Sequence, residues 1–171
     1  EISKITDLPI MAYNIPGRTS TLIELETLQT LVDDIGIHSI KDAVGDFEFS
    51  KKQLELLKDK ADIYSGNDNQ TYDFVINGGV GVVSVASHVV GDEISEMISF
   101  AKDNDLEKAE EINMQLSNLF ESIFEEPSPG PIKKILSESW EEVGEPLLPI
   151  TTITPDLANK IRGFYKKIKE N

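Results

Sequence analysis

The segment Ile37-His38-Ser39-Ile40-Lys41-Asp42-Ala43-Val44-Gly45 holds the most chemistry in this chain. As an extended strand it puts Ile37, Ser39 and Lys41 on one face, and His38, Ile40 and Asp42 on the other. A lysine at the C-terminal end of a parallel strand stands where α/β proteins place their active sites. Its amine attacks a carbonyl only when neutral. Bringing a lysine from its usual pKa of about 10.4 to about 7 disfavours the ammonium by roughly 4–5 kcal/mol, at 1.36 kcal/mol per unit. Burial among apolar neighbours can supply that, whereas the acidity of the whole chain works against it. Asp42 would also work against it if it shared the lysine's face, and the alternation argues that it does not. The competing reading is a strand-end lysine that snorkels into solvent.

A second segment, Tyr13-Asn14-Ile15-Pro16-Gly17-Arg18-Thr19, follows a short apolar run. Pro9, Met11 and Tyr13 share one face, so the phenol is expected at the same mouth as Lys41, where it can pass protons or bond a developing hydroxyl. Arg18, on the loop, offers a planar fork suited to a carboxylate. The alternatives are a core-edge aromatic with a satisfied hydroxyl, and an arginine paired with one of 31 acidic residues. Other candidates carry less. Gly66, Gly78-Gly79 and Gly81 permit close backbone approach, but strand ends and helix caps are the commoner use of glycine. No phosphate-cradling fingerprint or Walker loop fits. Asp42, Asp46, Asp68 and Asp73 assemble into a Mg²⁺ site only on paper in so acidic a chain. His88 reads as a solvated loop histidine or a mouth residue, and Phe120, Phe124 and Trp140 as packing residues.

These residues sit in a chain of 171 residues, 39% hydrophobic and 27% charged, which is one domain's length with enough apolar content for a core. Sixteen Lys+Arg against 31 Asp+Glu leave a net charge of −15, which repels phosphate backbones and anionic lipid. Neither a nucleic-acid nor a membrane partner is expected. With no cysteine there is no disulfide, thiolate nucleophile or Cys-ligated zinc, and two histidines make a His-rich metal site improbable. No apolar run approaches the roughly 20 residues that span a bilayer, and no signal peptide is visible, so a cytoplasmic protein is expected. The sequence begins at Glu1 without an initiator Met, which hints that this is not the start of a gene product.

Four strands are expected, within Pro9–Asn14, Ile37–Lys41, Ile63–Ser65 and Val80–Val85, the last being the clearest. Helical spacing marks Thr21–Asp34, Phe47–Lys60 and Asn69–Asn77 between them. After Gly91 the pattern is helical only, near Glu93–Asn104, Leu106–Glu125, Pro131–Val143 and Pro155–Lys169. Repeated strand–helix units predict a parallel sheet. Four units are half of a (β/α)₈ barrel, which needs roughly 250 residues, and four open strands leave two unpaired edges. The chain is therefore a small open sheet or half of a barrel.

Taken in order, Y-N-I-P-G-R-T, I-K-D-A-V-G-D, Y-S-G-N-D and N-G-G-V-G-V-V-S-V resemble the C-terminal half of the dihydrodipicolinate synthase/N-acetylneuraminate lyase family of class I aldolases. The resemblance covers essentially the whole chain, including P-S-P-G-P-I-K. It implies an α/β fold, half of a TIM barrel (strands five to eight) in residues 1–91, with the last barrel helix and a helical extension in 92–171. It places Lys41 on the Schiff-base lysine that captures pyruvate as an imine and then an enamine, and Tyr13 on the tyrosine of a proton relay. Arg18 matches the arginine that holds the carboxylate of the incoming aldehyde. Val83 matches the residue whose carbonyl faces the substrate, and Gly66 a glycine lining the pocket. No cofactor is implied.

The P-x-R-T continuation favours a synthase of 4-hydroxy-tetrahydrodipicolinate, from pyruvate and aspartate semialdehyde in lysine biosynthesis, over sugar-acid aldolases. Ser87-His88 and Pro-Ser-Pro-Gly-Pro depart from the usual synthase residues and leave the aldehyde open. The family's G-[ST]-T-G-E segment, which binds the pyruvate carboxylate, and a second relay tyrosine are not in this sequence. The partners expected are therefore pyruvate, a small aldehyde, and either a further copy in a homo-oligomer or an N-terminal barrel half. A non-catalytic half-barrel that self-associates, and an open α/β domain clamping an anionic metabolite through Arg18, are the rival readings.

Overall fold

Met11–Asn14 (β1), Ser39–Asp42 (β2), Asp62–Ser65 (β3) and Gly81–Val82 (β4) pair side by side in that order, all parallel. In this computed structural model, which describes residues 1–170, they belong to the first of two compact units, Glu1–Val83; the second begins at Ser84. Between the strands lie Pro16–Thr19 (α1), Leu25–Asp33 (α2), Phe47–Leu56 (α3) and Thr71–Ile76 (α4). Local chemistry sets these boundaries. The Asp46 carboxylate accepts from the Glu48 and Phe49 N–H groups and so caps α3. Gly36 turns the chain out of α2 at φ +79°, a conformation open to glycine at little cost.

Side chains alternate across a strand, so the observed register divides the sheet into two faces. Ala12, Ile40 and Ile63 point toward the helices, where Leu28, Leu54, Leu57 and Phe74 complete the unit's core. Leu28, Ile40, Leu57 and Phe74 are fully buried, and each such side chain is worth about 1.5–3 kcal/mol relative to exposure. The other face carries Met11, Tyr13, Lys41, Tyr64 and Val83, of which Met11, Tyr13 and Val83 are exposed. Four βα repeats are half the complement of a closed eight-stranded barrel.

The run expected as the clearest strand, Val80–Val85, is the shortest. Val80 N–H donates to Ile63 and Val83 N–H to Ser65, and pairing ends there because β3 itself ends at Ser65. As an outer strand of this sheet, β4 has one neighbour to pair with. The helix over Thr21–Asp34 starts only at Leu25, because Ile23 is held in an extended connection by Asn14.

The second unit consists of Ser87–Lys102 (α5), Leu106–Ser122 (α6), Gly130–Ser139 (α7) and Pro155–Lys169 (α8). Its core includes Ile94, Met97, Leu116, Leu119, Phe120, Ile135 and Ile161. Helix α5 begins six residues earlier than Glu93 because its first turn is offset by a non-helical Val90 (φ −131°, ψ 37°), which hides it from a periodicity reading. Helix α7 stops at Ser139 rather than Val143. The start of α8 is secured by Thr154, whose hydroxyl accepts from Leu157 N–H and whose own N–H donates to Glu126. Phe120 is buried as expected, but Phe124 and Trp140 are 46% and 71% exposed and do not pack in this unit's core. Among the described residues no helix is long and apolar enough to cross a membrane.

Candidate active site at the strand ends

Tyr13 and Lys41 are direct cross-strand neighbours in β1 and β2, on the exposed face of the sheet. The Lys41 Nζ lies 4.3 Å from the centroid of the Tyr13 ring. An ammonium over a tyrosine face gains about 0.5–1 kcal/mol at exposed sites, so the contact orders the lysine without locking it. On the other side, Lys41 is in register with Tyr64 of β3, itself in register with Gly81. Lys41 and Tyr64 are half-buried, so one wall of the site is aromatic on each flank of the lysine.

Gly66, just past β3, leaves the space through which the lysine stem passes. A Cβ there would lie 2.7 Å from the Ala43 Cβ, 2.9 Å from the Asp42 carbonyl oxygen and 3.1 Å from the Lys41 Cε. Val83 stands at the end of β4, anchored by its N–H to the Ser65 carbonyl at 2.9 Å. Arg18 lies on α1, at the same sheet edge, exposed and without a carboxylate partner among the described residues. The reading of Arg18 as half of an ion pair with one of the chain's acids is thereby corrected.

Behind these groups, on the helix-facing side, the last residue of each of the first three strands is polar and buried. Asn14, Asp42 and Ser65 are 0%, 1% and 0% exposed. Each holds the loop that follows its own strand. Asn14 bonds Ile23 at both its backbone groups. The Asp42 carboxylate accepts from Val44 N–H and from the Ser50 hydroxyl, both at 2.9 Å. Ser65 donates to the Asn67 carbonyl and accepts from its N–H. Burial pushes the Asp42 carboxyl up, while the Val44 and Ser50 donors favour its charged form and Asp46 opposes it.

Sequence reasoning missed this row and Tyr64. The visible signal for both was strand alternation, since Asn14, Asp42 and Ser65 share one parity and Tyr13, Lys41 and Tyr64 the other once the register is known. Asp42, Asp46, Asp68 and Asp73 do not assemble: among the described residues no group of His, Asp and Glu is placed to hold a metal ion. Asp42 and Asp46 are instead occupied as loop and helix anchors. His88 is exposed in the first turn of α5, its Nδ1 2.9 Å from the Val85 carbonyl.

Parallel βα repeats in sequential order, with a lysine and a tyrosine side by side at the strand ends, define half of a (β/α)₈ barrel with its candidate site at the C-terminal rim. The chain belongs to the dihydrodipicolinate synthetase family, which it matches over residues 1–168. It is 34% identical over 169 residues to a 4-hydroxy-tetrahydrodipicolinate synthase of Listeria monocytogenes serotype 4b, covering 99% of this chain and 58% of that protein. A synthase of the same name from Thermosynechococcus vestitus is 39% identical over 159 residues, covering 93% of this chain and 54% of its relative. The solved dihydrodipicolinate synthase of Thermotoga maritima superposes with a TM-score of 0.94 at 30% identity, over 98% of this chain and 58% of that one. The chain thus spans less than two thirds of the length of these relatives.

Proposed function

We propose that this chain is the C-terminal half of a pyruvate-dependent Schiff-base aldolase, and that the whole enzyme is a 4-hydroxy-tetrahydrodipicolinate synthase. In this reading the neutral Lys41 amine adds to the keto carbon of pyruvate and, with loss of water, forms an imine. Loss of a proton from the adjacent methyl group gives an enamine. The enamine carbon bonds to the aldehyde carbon of aspartate semialdehyde, whose oxygen takes up a proton and becomes a hydroxyl. The amine of the former semialdehyde then displaces Lys41 and closes the ring. Tyr13 is the group that moves protons at the imine and the new hydroxyl. Arg18 holds the carboxylate of the semialdehyde by a forked pair of bonds. Gly66 and the Val83 carbonyl border the pocket. The product belongs to lysine biosynthesis by way of diaminopimelate.

The observation that supports this reading best is the Lys41 Nζ standing 4.3 Å from the Tyr13 ring, on the sheet face that the helices leave open. That contact favours the ammonium, so it orders the lysine but works against the neutral amine. In this reading the neutral form is favoured by desolvation under a cover on this face, which has to outweigh the ring contact. The 171 residues alone are therefore expected to retain at most a vestige of imine formation, since each absent carboxylate-binding donor removes about 10²–10³ in rate. Borohydride reduction in the presence of pyruvate, followed by peptide mapping, is the test. Slow labelling confined to Lys41 is expected. Labelling elsewhere, or normal turnover by this chain alone, defeats the reading.

The open sheet edges at β1 and β4 and the exposed Met11 and Tyr13 also support a second reading, a self-associating half-barrel that is not catalytic. Size-exclusion mass together with the absence of any pyruvate adduct distinguishes it.

A further inference from the structure

Asp42 is a buried carboxylate next in sequence to Lys41, and the chemistry above makes no use of it. It is 1% exposed, and its partner Ser50 is fully buried. The carboxylate closes the β2–α3 turn from both sides: Oδ1 takes the Val44 N–H and Oδ2 the Ser50 hydroxyl, each at 2.9 Å. The backbone of the same residue is tied as tightly. Its carbonyl oxygen accepts from Gly66 N–H at 2.6 Å, and the next N–H, of Ala43, donates to the Asn14 carbonyl at 2.9 Å. The gap that admits the lysine stem is bounded by these atoms, because a Cβ on Gly66 would meet Ala43, the Asp42 carbonyl and the Lys41 Cε together.

From this arrangement we infer that Asp42, held by Ser50, is a positioning residue for Lys41: it fixes the strand-end peptide that walls the lysine stem and keeps the amine over Tyr13. The inference rests on the reading of Lys41 as the reactive amine, but its mechanics do not. A buried carboxylate whose acceptors are both used holds its peptide far better than a solvated one, and removing one donor leaves the other groups of the network misdirected. The Ser50 hydroxyl also lies 3.2 Å from the Asp46 carbonyl, so with Asp42 gone it has an alternative acceptor and the turn has another geometry to settle into.

Competitive acetylation tests this on the full chain, because it reads lysine reactivity whether or not pyruvate binds. Trace acetic anhydride is used across pH 6–10, with mass spectrometry comparing Lys41 against the exposed Lys52 and Lys58 in the same sample. In Ser50→Ala and Asp42→Asn, the Lys41 rate is expected to move toward those surface lysines by about threefold or more, as the amine loses its seat over the Tyr13 ring. The pH profile should move with it. The double variant should go no further than Asp42→Asn, since both act in one network. Far-UV circular dichroism monitors folding, and Ser50→Ala decides the matter if Asp42→Asn does not fold. A wild-type Lys41 that already behaves like Lys52, or a folded Ser50→Ala with the wild-type ratio and profile, overturns the inference. Pyruvate and borohydride trapping runs in parallel. If trapping fails in the wild type while acetylation responds to Ser50→Ala, the aldolase reading falls and the positioning role stands.

Discussion

Asn14 and Ile23 are joined by a reciprocal pair of hydrogen bonds, with the Asn14 Nδ2 donating to the Ile23 carbonyl and the Asn14 Oδ1 accepting from the Ile23 N–H, both at 3.0 Å. The pair ties the end of β1 to the far end of the loop that carries Arg18. Asn14 is fully buried, so truncation leaves two backbone groups of Ile23 to find water or go without. Asn14→Ala is expected to lower stability by about 1–3 kcal/mol. Urea unfolding of the chain measures this, and a midpoint equal to that of the wild type would show that the pair contributes nothing.

Gly66→Ala tests a different kind of constraint. The added methyl would sit 2.7 Å from the Ala43 Cβ and 2.9 Å from a backbone oxygen, neither of which is the mobile end of a side chain. Overpacking of this sort costs about 1–3 kcal/mol. Because the third neighbour is the Lys41 Cε, the substitution should also shift the acetylation ratio of Lys41. A thermal midpoint and a Lys41 reactivity both unchanged would contradict the crowding seen here.

In the second unit, Glu138 bridges α7 and α8, accepting from Arg162 Nε at 2.7 Å and Nη2 at 2.6 Å, with Lys134 at 3.2 Å. The Arg162 bonds hold its carboxyl down to about 2 from 4.5, with Lys134 assisting and partial burial opposing. A depressed carboxyl binds fewer protons folded than unfolded, so its stabilisation is whole above about 4.5 and is lost as pH falls toward 2. Both partners are partly solvated, so the expected size is about 1 kcal/mol rather than the full shift. Arg162→Met should therefore lower the thermal midpoint at pH 7 and leave it nearly unchanged at pH 2. An equal loss at both pH values would mean that packing, not charge, is what the arginine supplies.

Tyr13→Phe and Arg18→Ala separate the two halves of the proposed reaction. Removing the phenolic hydroxyl keeps the ring beneath Lys41 but takes away the proton carrier, and pyruvate trapping should slow by about 10²–10⁴. Removing the Arg18 fork should leave pyruvate trapping intact while abolishing the effect of added aspartate semialdehyde on the trapped yield. Rapid trapping in Tyr13→Phe would remove the phenol from the proposed relay.

Much of the first unit was legible in the sequence because each βα repeat is local. The apolar run around Ile40 and the helical spacing of Leu25, Leu28, Leu31 and Val32 each announce an element within a few residues. The opposite placement of Lys41 and Asp42 followed from strand alternation alone, and the register bears it out. What escaped depended on pairing between distant segments. That Tyr64 flanks Lys41, and that Asn14, Asp42 and Ser65 form one buried row, requires a register that no single segment contains. The length of β4 escaped for the same reason, since Val80–Val85 is rich in β-branched residues but finds ladder partners only as far as β3 extends. Val90 hid the start of α5, a local break that periodicity cannot see through.

The residues that brace the rim lie behind the sheet, and those offered to a reactant lie in front of it. If the proposed reading holds, descendants of such a chain can exchange Arg18, or the residue at position 83, and with it the aldehyde taken, while the brace stays untouched. Substrate choice and foldability can then drift separately, and selection for one does not have to wait on the other.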